Sequence, residues 1–234
     1  MNLSTDYENF IPLEKNSLTG LVNSLIKDGY LKTPEIIEAF KKIDRQDFVP
    51  EEQKNEAYIN APLSIGFGQT ISQPLTVAFM LELLEPKRGE KILDIGSGSG
   101  WVSGLLAQIV GERGKIISIE RVSELKEMAE KNISKYGFIN PTHKKIMCGV
   151  ENSVVEIVLG DGSKGYKKEA DYDKIIAAAS AQNELPKEWQ KQLKIGGRIV
   201  APLGDSIVVI DKIGKNKYNV KKYFGFSFVP LISN

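Results

Sequence analysis

Apolar residues near the N-terminus recur at the spacing of an amphipathic helix. Within residues 17–28 one stripe consists of Leu18, Leu21, Val22, Leu25 and Ile26. A second stripe follows Thr33-Pro34, a pair typical of a helix start because threonine caps a helix and proline fits its first turn. Its apolar positions are Ile36, Ile37, Phe40 and Ile43. These stripes predict two N-terminal helices, whereas residues 50–74 contain too many turn formers for one regular element.

From residue 91 onward, short β-branched runs alternate with helical ones. The runs that we predict as strands are 91–95, 115–119, 154–159, 173–179 and 198–203. Helices fit between them near residues 100–110, 123–136 and 185–194. Strands that alternate with helices imply right-handed crossovers and a mainly parallel sheet covered by helices on both faces.

The C-terminal segment has a different pattern. An apolar run at residues 206–213 is followed by the turn sequence GKNK and then by alternating aromatic and polar residues from Tyr218. This arrangement predicts an antiparallel hairpin at the edge of the sheet. Aromatic alternation at strand spacing is more often core packing than a surface for stacking on nucleic-acid bases.

Charge and composition narrow the classes of function. The chain has 31 Lys plus Arg against 30 Asp plus Glu, so no basic excess indicates nucleic acid as a main partner. No apolar run approaches the roughly 18–20 residues of a membrane span, and the N-terminus lacks a signal-peptide pattern. The single Cys148 and single His143 predict neither a disulfide nor a metal site. We therefore expect a cytoplasmic protein without a membrane partner.

The strongest local signal is the run DIGSGSG at residues 94–100, which follows a predicted strand and opens a predicted helix. Glycines let the chain turn sharply and let a ligand approach the main chain. A dinucleotide fingerprint would need glycine at position 101, where Trp101 stands, so the spacing favours a ligand without phosphates, such as S-adenosylmethionine. The predicted cofactor contacts here are Gly96, Ser97, Gly98 and Gly100. Asp94 is expected to support the loop by hydrogen bonds.

Acidic residues follow the next two predicted strands. Glu120 ends the second strand, where a carboxylate can accept both ribose hydroxyls of a nucleoside. Asp161, in the sequence Gly160-Asp161-Gly162 after the third strand, can accept from an adenine amino group. The carboxyl edge of an open parallel sheet is where ligands bind. A glycine loop alone is equally compatible with plain turns. The hypothesis of an S-adenosylmethionine site therefore depends on the combination of this loop with Glu120 and Asp161.

Residues 57–74, which read AYINAPLSIGFGQTISQP, make the comparison specific: the chain resembles protein-L-isoaspartate O-methyltransferase. The matching pieces lie in order along nearly the whole chain. They are Asp44-Arg45, Phe48-Val49-Pro50, GQTISQP at 68–74, GSGSG at 96–100, SIER at 118–121, Gly160-Asp161-Gly162, QLKIGG at 192–197 and FVPL at 228–231. The GQTIS run is much more specific than the glycine loop, since general methyltransferases lack it.

The resemblance implies a Rossmann-like class I methyltransferase fold with S-adenosyl-L-methionine as cofactor and S-adenosyl-L-homocysteine as product. The implied reaction methylates the free α-carboxylate of L-isoaspartyl residues in damaged proteins and peptides. It implies Ser72 as the active-site residue, Thr70 and Ile71 in the cofactor and substrate pocket, and Arg121 and Gly162 as further cofactor contacts. We expect one monomeric domain over residues 1–234. Its N-terminal helices and substrate loop span 1–74, and its cofactor-binding core and C-terminal strands span 75–234.

This chemistry does not require a catalytic histidine. A carboxylate is already ionised at neutral pH, so it needs no general base, and alignment and exclusion of water supply the catalysis. Ser72 is expected to cap the following helix and to point its hydroxyl at the substrate carboxylate. A nucleophilic role for this serine is disfavoured, because only His143 could activate it. The chain departs from the family at Asn60, where aspartate is common, and we expect a weaker local hydrogen bond there. The segment 137–153 is longer than in many members.

Two alternatives of other kinds remain open at this point. One is a carboxyl methyltransferase that acts on a normal aspartate of a peptide natural product. The other is a module that binds S-adenosylmethionine without catalysis, which the intact Ser72 and glycine loop argue against. An NAD-dependent oxidoreductase is opposed by Trp101.

Overall fold

The structure is a computed structural model, and it describes residues 16–139 and 153–232. The helices in these ranges are α1 (Leu18–Lys27), α2 (Pro34–Lys42), α3 (Pro74–Leu84), α4 (Trp101–Val110), α5 (Ser123–Ser134) and α6 (Lys187–Gln192). The strands are β1 (Leu63–Gly66), β2 (Gln69–Ile71), β3 (Lys91–Ile95), β4 (Lys115–Glu120), β5 (Val155–Leu159), β6 (Tyr172–Ala177), β7 (Leu193–Leu203), β8 (Ser206–Gly214) and β9 (Lys217–Phe224). Residues His143 and Cys148 lie outside the described residues.

Seven strands form the main sheet in the order β5-β4-β3-β6-β7-β8-β9. The first five are parallel neighbours, and β8 and β9 add to the edge as antiparallel strands. The predicted parallel sheet and its antiparallel C-terminal hairpin are both confirmed. Because the parallel strands point the same way, β3, β4 and β5 end at one edge, where their following loops lie side by side.

Alternate residues of the sheet enter two separate cores, as the two faces of pleated strands require. On β3, Ile92 packs with the helices α1 to α5, whereas Leu93 packs with Trp189 of α6 and its surroundings. The two N-terminal helices contribute Leu25 and Phe40 to the larger core. Helices therefore cover both faces, as the alternation of strands and helices predicts.

The residue that begins α4 connects the N-terminal helices to the sheet. Trp101 is buried, its indole N–H donates to the carbonyl of Ile43 at 3.4 Å, and its ring meets Phe40 edge to face with 5.5 Å between centroids. The bulky residue that replaces the third glycine of a dinucleotide fingerprint is thus a packing residue of this interface.

Several element boundaries differ from the prediction. The predicted helix 185–194 is shorter because β7 already begins at Leu193 and not at residue 198. Thr33 does occupy the position before α2, but its hydroxyl donates to Glu82 Oε2 at 2.7 Å and forms no cap. Residues 50–74 contain one short 3₁₀ helix (Glu51–Glu56) and the small β1–β2 hairpin, in agreement with the absence of one regular element. None of the helices in the described ranges has the length and apolarity needed to cross a bilayer.

Candidate active site

The glycine loop between β3 and α4 is fastened to the neighbouring strand through its main chain. The N–H groups of Gly96 and Ser97 both donate to the carbonyl of Ile119, at 2.8 and 3.2 Å. From the other side, the Asn132 side-chain amide of α5 donates to the Ser99 carbonyl at 3.1 Å. Gly98 adopts a φ of +53°, a region that L side chains rarely enter. The loop is therefore held open in a fixed shape.

Glu120, the predicted acceptor for ribose hydroxyls, organises the end of β4. Its carboxylate is buried, and Oε2 accepts from the Gly98 N–H at 2.9 Å. Its Oε1 accepts from the N–H groups of Arg121 and Val122, at 2.8 and 3.0 Å. Both oxygens are thus pre-positioned by main-chain donors at the mouth of the cleft described below, and Oε2, which accepts only one of them, has a lone pair left for a hydroxyl donor.

Asp94, to which sequence reasoning assigned a supporting role, is a buried carboxyl near the end of β3. Its side chain is 0% exposed, and Oδ2 accepts from the hydroxyls of Ser103 and Ser118 at 2.6 and 3.2 Å. Burial raises the pKa of Asp94 to about 7, against the hydrogen bonds from these hydroxyls, which lower it.

Three buried polar atoms around the glycine loop have no hydrogen-bond partner within the described residues. They are Asp94 Oδ1, Ser97 Oγ and Ser99 Oγ. Buried polar atoms are normally satisfied, so a group of orphaned atoms at one loop indicates a polar ligand or ordered water. Asp94 Oδ1 is an acceptor, and the hydroxyls of Ser97 and Ser99 can donate or accept. Such a set of atoms fits the amino-acid end of a ligand that carries an ammonium group.

A cleft opens along the carboxyl edge of β3, β4 and β5. Of the residues predicted from the sequence, those that line it are Thr70, Gly96, Gly98, Glu120, Arg121 and Gly162. The structure thus brings together residues from four separate segments of the chain.

Two predicted cofactor residues, Asp161 and Gly100, line neither this cleft nor the inner cavity described below, whose lining includes Ile71 and Ser97. The carboxylate of Asp161 accepts from the N–H and the hydroxyl of Ser163, at 2.9 and 2.7 Å, and so caps the short turn that follows. Gly100 packs against α5, where an added Cβ would lie about 3.0 Å from Ile133 and 3.1 Å from Ala129. Both residues have a local structural reason to be present, and their contact with a cofactor stays a prediction.

The β1–β2 hairpin folds over the glycine loop. A Cβ added to Gly98 would lie 3.3 Å from the terminal methyl of Ile65 on β1. An inner cavity between the two segments is lined by Thr70, Ile71, Ser72, Gly96, Ser97, Gly98, Ser99, Trp101, Val102 and Ala178. The half-buried Ser72 is therefore next to the predicted cofactor loop, which is the arrangement on which the sequence-based hypothesis depends.

An outer cavity lies on the other side of Ser72. Its lining consists of Pro62, Thr70, Ser72, Gln73, Thr76, Ala178, Ser227, Phe228 and Val229. Thr70 and Ala178 line this cavity, the inner cavity and the main cleft alike. Ser72 thus separates a neutral, hydroxyl-rich cavity from the glycine loop.

The predicted capping role of Ser72 is wrong. Gln73, and not Ser72, occupies the position before α3, and it makes no side-chain cap. Instead, the side-chain oxygen of Asn60 accepts from the Leu75 N–H at 3.0 Å. The Gln73 side-chain amide in turn donates to the Asn60 carbonyl at 3.0 Å. Because Asn60 supplies the cap from 15 residues away, the Ser72 hydroxyl is not used for it.

Sequence reasoning missed the C-terminal residues that complete the cleft. Residues 229–232 and the pair Ala178-Ala179 line it. Ser180 holds the two segments together, because its N–H donates to Val229 and its carbonyl accepts from Leu231, both at 2.8 Å. The available signal was the FVPL match at residues 228–231, which carried no role of its own. Within the described ranges, no cluster of three or more His, Cys, Asp or Glu is arranged for a metal ion.

Comparisons with known proteins agree with this geometry. Residues 16–234 match the family model described as protein-L-isoaspartate(D-aspartate) O-methyltransferase. A protein-L-isoaspartate O-methyltransferase of Archaeoglobus fulgidus is 44% identical over 200 residues, which are 84% of either chain. One from Ignicoccus hospitalis is 42% identical over 216 residues, with 91% of this chain and 95% of that protein covered.

Solved structures give the same result for the fold. A protein-L-isoaspartate O-methyltransferase superposes with a TM-score of 0.79 at 26% identity, covering 93% of this chain and 67% of that one. A Plasmodium falciparum protein described as a beta-aspartate methyltransferase, in complex with S-adenosyl-L-homocysteine, has a TM-score of 0.76 at 24% identity. The alignment covers 92% of this chain and 97% of that one, and it supports the fold alone.

Proposed function

This chain belongs to the protein-L-isoaspartate(D-aspartate) O-methyltransferase family, and from that premise we propose how its residues divide the work of the reaction. The enzyme transfers a methyl group from S-adenosyl-L-methionine to the free α-carboxylate of L-isoaspartyl residues in damaged proteins. The family match does not favour a methyltransferase for normal aspartate or an inactive binding module. The observation that carries the proposal is the position of Ser72 between the glycine loop and a neutral outer cavity.

The residues around the glycine loop fit the cofactor. Glu120 offers one pre-positioned carboxylate oxygen, Oε2, for a ribose hydroxyl, and Arg121 and Gly162 line the same cleft. The unpartnered oxygens of Asp94, Ser97 and Ser99 suit the polar amino-acid end. When bound, the cofactor supplies an electrophilic methyl group on a positively charged sulfur.

The outer cavity fits the substrate carboxylate. Among its lining residues, Thr70, Ser72, Gln73, Thr76 and Ser227 carry neutral hydrogen-bond donors. Of these five, only Thr70 and Ser72 also line the inner cavity at the glycine loop. We assign the Ser72 hydroxyl to hold one carboxylate oxygen, because the resemblance to the family implies Ser72 as the active-site residue. The carboxylate needs no general base, so the chain contributes orientation, and the overlying β1–β2 hairpin excludes water.

We further propose that the enzyme acts as a cytoplasmic monomer on protein and peptide substrates, without nucleic acid or membrane as partner. The nearly balanced charge, 31 basic against 30 acidic residues, supports this. We also treat residues 1–234 as one functional domain, because α1 and α2 share a core with α4.

The direct test uses labelled S-adenosyl-L-methionine and two peptides that differ only in aspartate versus isoaspartate. We expect base-labile label on the isoaspartyl peptide alone. Label on the aspartyl peptide would indicate the natural-product type of activity. Binding of S-adenosyl-L-homocysteine in calorimetry without label on either peptide would indicate an inactive module.

A further inference from the structure

Arg45 is a fully buried arginine in the 3₁₀ turn after α2, with 0% of its surface exposed. Its Nη1 donates to the carbonyl of Ala57 at 2.6 Å and to that of Ile59 at 3.4 Å. Its Nη2 donates to the carbonyl of Ala61 at 2.9 Å and to that of Ser72 at 3.2 Å. One guanidinium therefore joins the beginning and the end of the 57–72 loop, which carries the active-site serine.

In the part of the chain that the structure describes, the Arg45 guanidinium is hydrogen-bonded to neutral carbonyl groups and has no carboxylate partner. Among the ion pairs there, none includes Arg45. Its guanidinium carbon lies 5.4 Å from the centre of the Trp101 ring. Burial lowers the pKa of Arg45 to about 10, so the group remains charged near neutral pH.

Packing alone does not explain a buried cation at this place. Moving a guanidinium out of water is unfavourable, and apolar residues of similar volume often stabilise a protein as well or better. What the guanidinium provides is a rigid fork, in which Nη1 reaches the carbonyls of Ala57 and Ile59 and Nη2 reaches those of Ala61 and Ser72. A lysine keeps the charge but offers a single nitrogen.

We propose that Arg45 is a positioning residue for catalysis, which fixes the Ser72 peptide group so that the serine hydroxyl faces the outer cavity at the glycine loop. This inference rests on the role proposed above for Ser72. The Ser72 carbonyl accepts from the buried guanidinium, and Ser72 itself is among the residues that line both cavities. Small displacements of a positioning group lower turnover strongly, because the reacting groups must be aligned.

The test is a double-mutant cycle of Arg45→Lys and Ser72→Ala, with kcat and KM measured on an isoaspartyl peptide. Ser72→Ala removes the hydroxyl but leaves the carbonyl that Arg45 contacts. We expect Arg45→Lys to lower kcat about tenfold or more in the native background, and by less than about threefold when Ser72 is already alanine. The Kd for S-adenosyl-L-homocysteine, measured by calorimetry, is expected to change by less than about threefold, because the Gly98–Glu120 contacts are untouched.

Two controls separate positioning from general damage. Arg113→Lys makes the same change at an exposed arginine after α4, and we expect native kinetics. Ile210→Ala removes volume from the core on the opposite face of the sheet and lowers the melting temperature, but it leaves the 57–72 loop intact and kcat unchanged below that temperature.

The outcomes are distinguishable. If Ser72→Ala alone leaves kcat unchanged, the role of Ser72 is wrong and the inference about Arg45 is overturned with it. If Ser72→Ala lowers kcat but the effect of Arg45→Lys is absent or fully additive to it, the Ser72 role stands and Arg45 is only structural. A strongly smaller effect of Arg45→Lys in the alanine background supports the proposal.

Discussion

The two sides of the active site are built differently. The cofactor side is held by main-chain contacts between neighbouring strand ends, such as the Gly96 N–H to the Ile119 carbonyl and the Gly98 N–H to Glu120. The 57–72 loop on the substrate side is held by side chains that reach across the chain, above all Arg45 and Asn60. One side follows from the topology of the sheet, and the other depends on a few individual side chains.

This difference predicts that binding and turnover can be separated by mutation. Changes at the strand ends should weaken cofactor binding, because those contacts pre-position main-chain groups. Changes in the 57–72 loop should reduce turnover while the cofactor still binds. The following variants test this division.

The largest effect is expected for Ser72→Ala. Loss of the donor that we assign to the substrate carboxylate should lower kcat about 100-fold. The Kd for S-adenosyl-L-homocysteine should change by less than about threefold, because the glycine loop does not depend on this hydroxyl. Steady-state kinetics and calorimetry on the same preparation provide the comparison. A parallel loss of affinity and kcat would contradict the division between the two sides.

The second prediction concerns the pH dependence of the free energy of unfolding, which we expect to depend on Asp94 on the cofactor side. The folded-state pKa of Asp94 is raised to about 7 from 3.8, so the native protein binds a proton between these pH values that the unfolded chain has released. The stability from this proton is complete below about pH 4 and is lost as the pH rises towards 7. The variant Asp94→Asn carries an amide that cannot titrate, so this contribution is absent from it.

The measurement is urea unfolding of cofactor-free native protein and Asp94→Asn at pH 5 and pH 8. The free energy of unfolding of the native protein should fall between these values by roughly 2 kcal/mol more than that of the variant. Asp205→Asn, at an exposed position, controls for the loss of one negative charge. Equal pH dependence in native protein and Asp94→Asn would show that this carboxyl is ionised throughout.

Glu120→Gln should give the converse of Ser72→Ala. Both carboxylate oxygens accept main-chain N–H groups, so an amide NH₂ in place of one oxygen would face a donor and leave it unsatisfied. We expect the Kd for S-adenosyl-L-homocysteine to rise about tenfold, with kcat near the native value at saturating cofactor. Glu124→Gln is the matched control, because this exposed glutamate lies four residues further along. A lower kcat with unchanged affinity would assign Glu120 to the chemistry.

The contrast also explains which parts the sequence could predict. The parallel strands, the glycine loop and Glu120 are encoded by local patterns of strand, turn and helix, and the sheet then brings the strand ends together without further information. The fork of Arg45 is different, since it joins residues 27 positions apart that no periodicity connects. The resemblance pointed to Arg45 through its motif, but only the folded chain shows the contacts on which its proposed role rests.

The same limit of local sequence patterns explains why the caps predicted for the starts of α2 and α3 are wrong. Threonine before a proline and serine before Gln-Pro both resemble caps, because the preference is local. In the folded chain Glu82 accepts from Thr33, and Asn60 takes the place predicted for Ser72. In each case a residue distant in sequence makes the hydrogen bond, and a local sequence preference cannot predict such a partner.

The smallest effect is expected at Asn60, and it tests whether the outer support of the 57–72 loop is only structural. Asn60→Ala removes the acceptor for the Leu75 N–H and should lower the free energy of unfolding by about 1 kcal/mol. Asn60→Asp keeps the acceptor and places a negative charge at the start of α3, so it should equal or exceed the native stability by roughly 0.3–1 kcal/mol. Urea unfolding ranks the three proteins, and peptide kinetics are measured in parallel. Because Arg45 still holds the loop from inside, kcat should remain within about twofold of native in both variants. A large loss of kcat in Asn60→Ala would mean that the surface cap, and not the buried fork, positions Ser72.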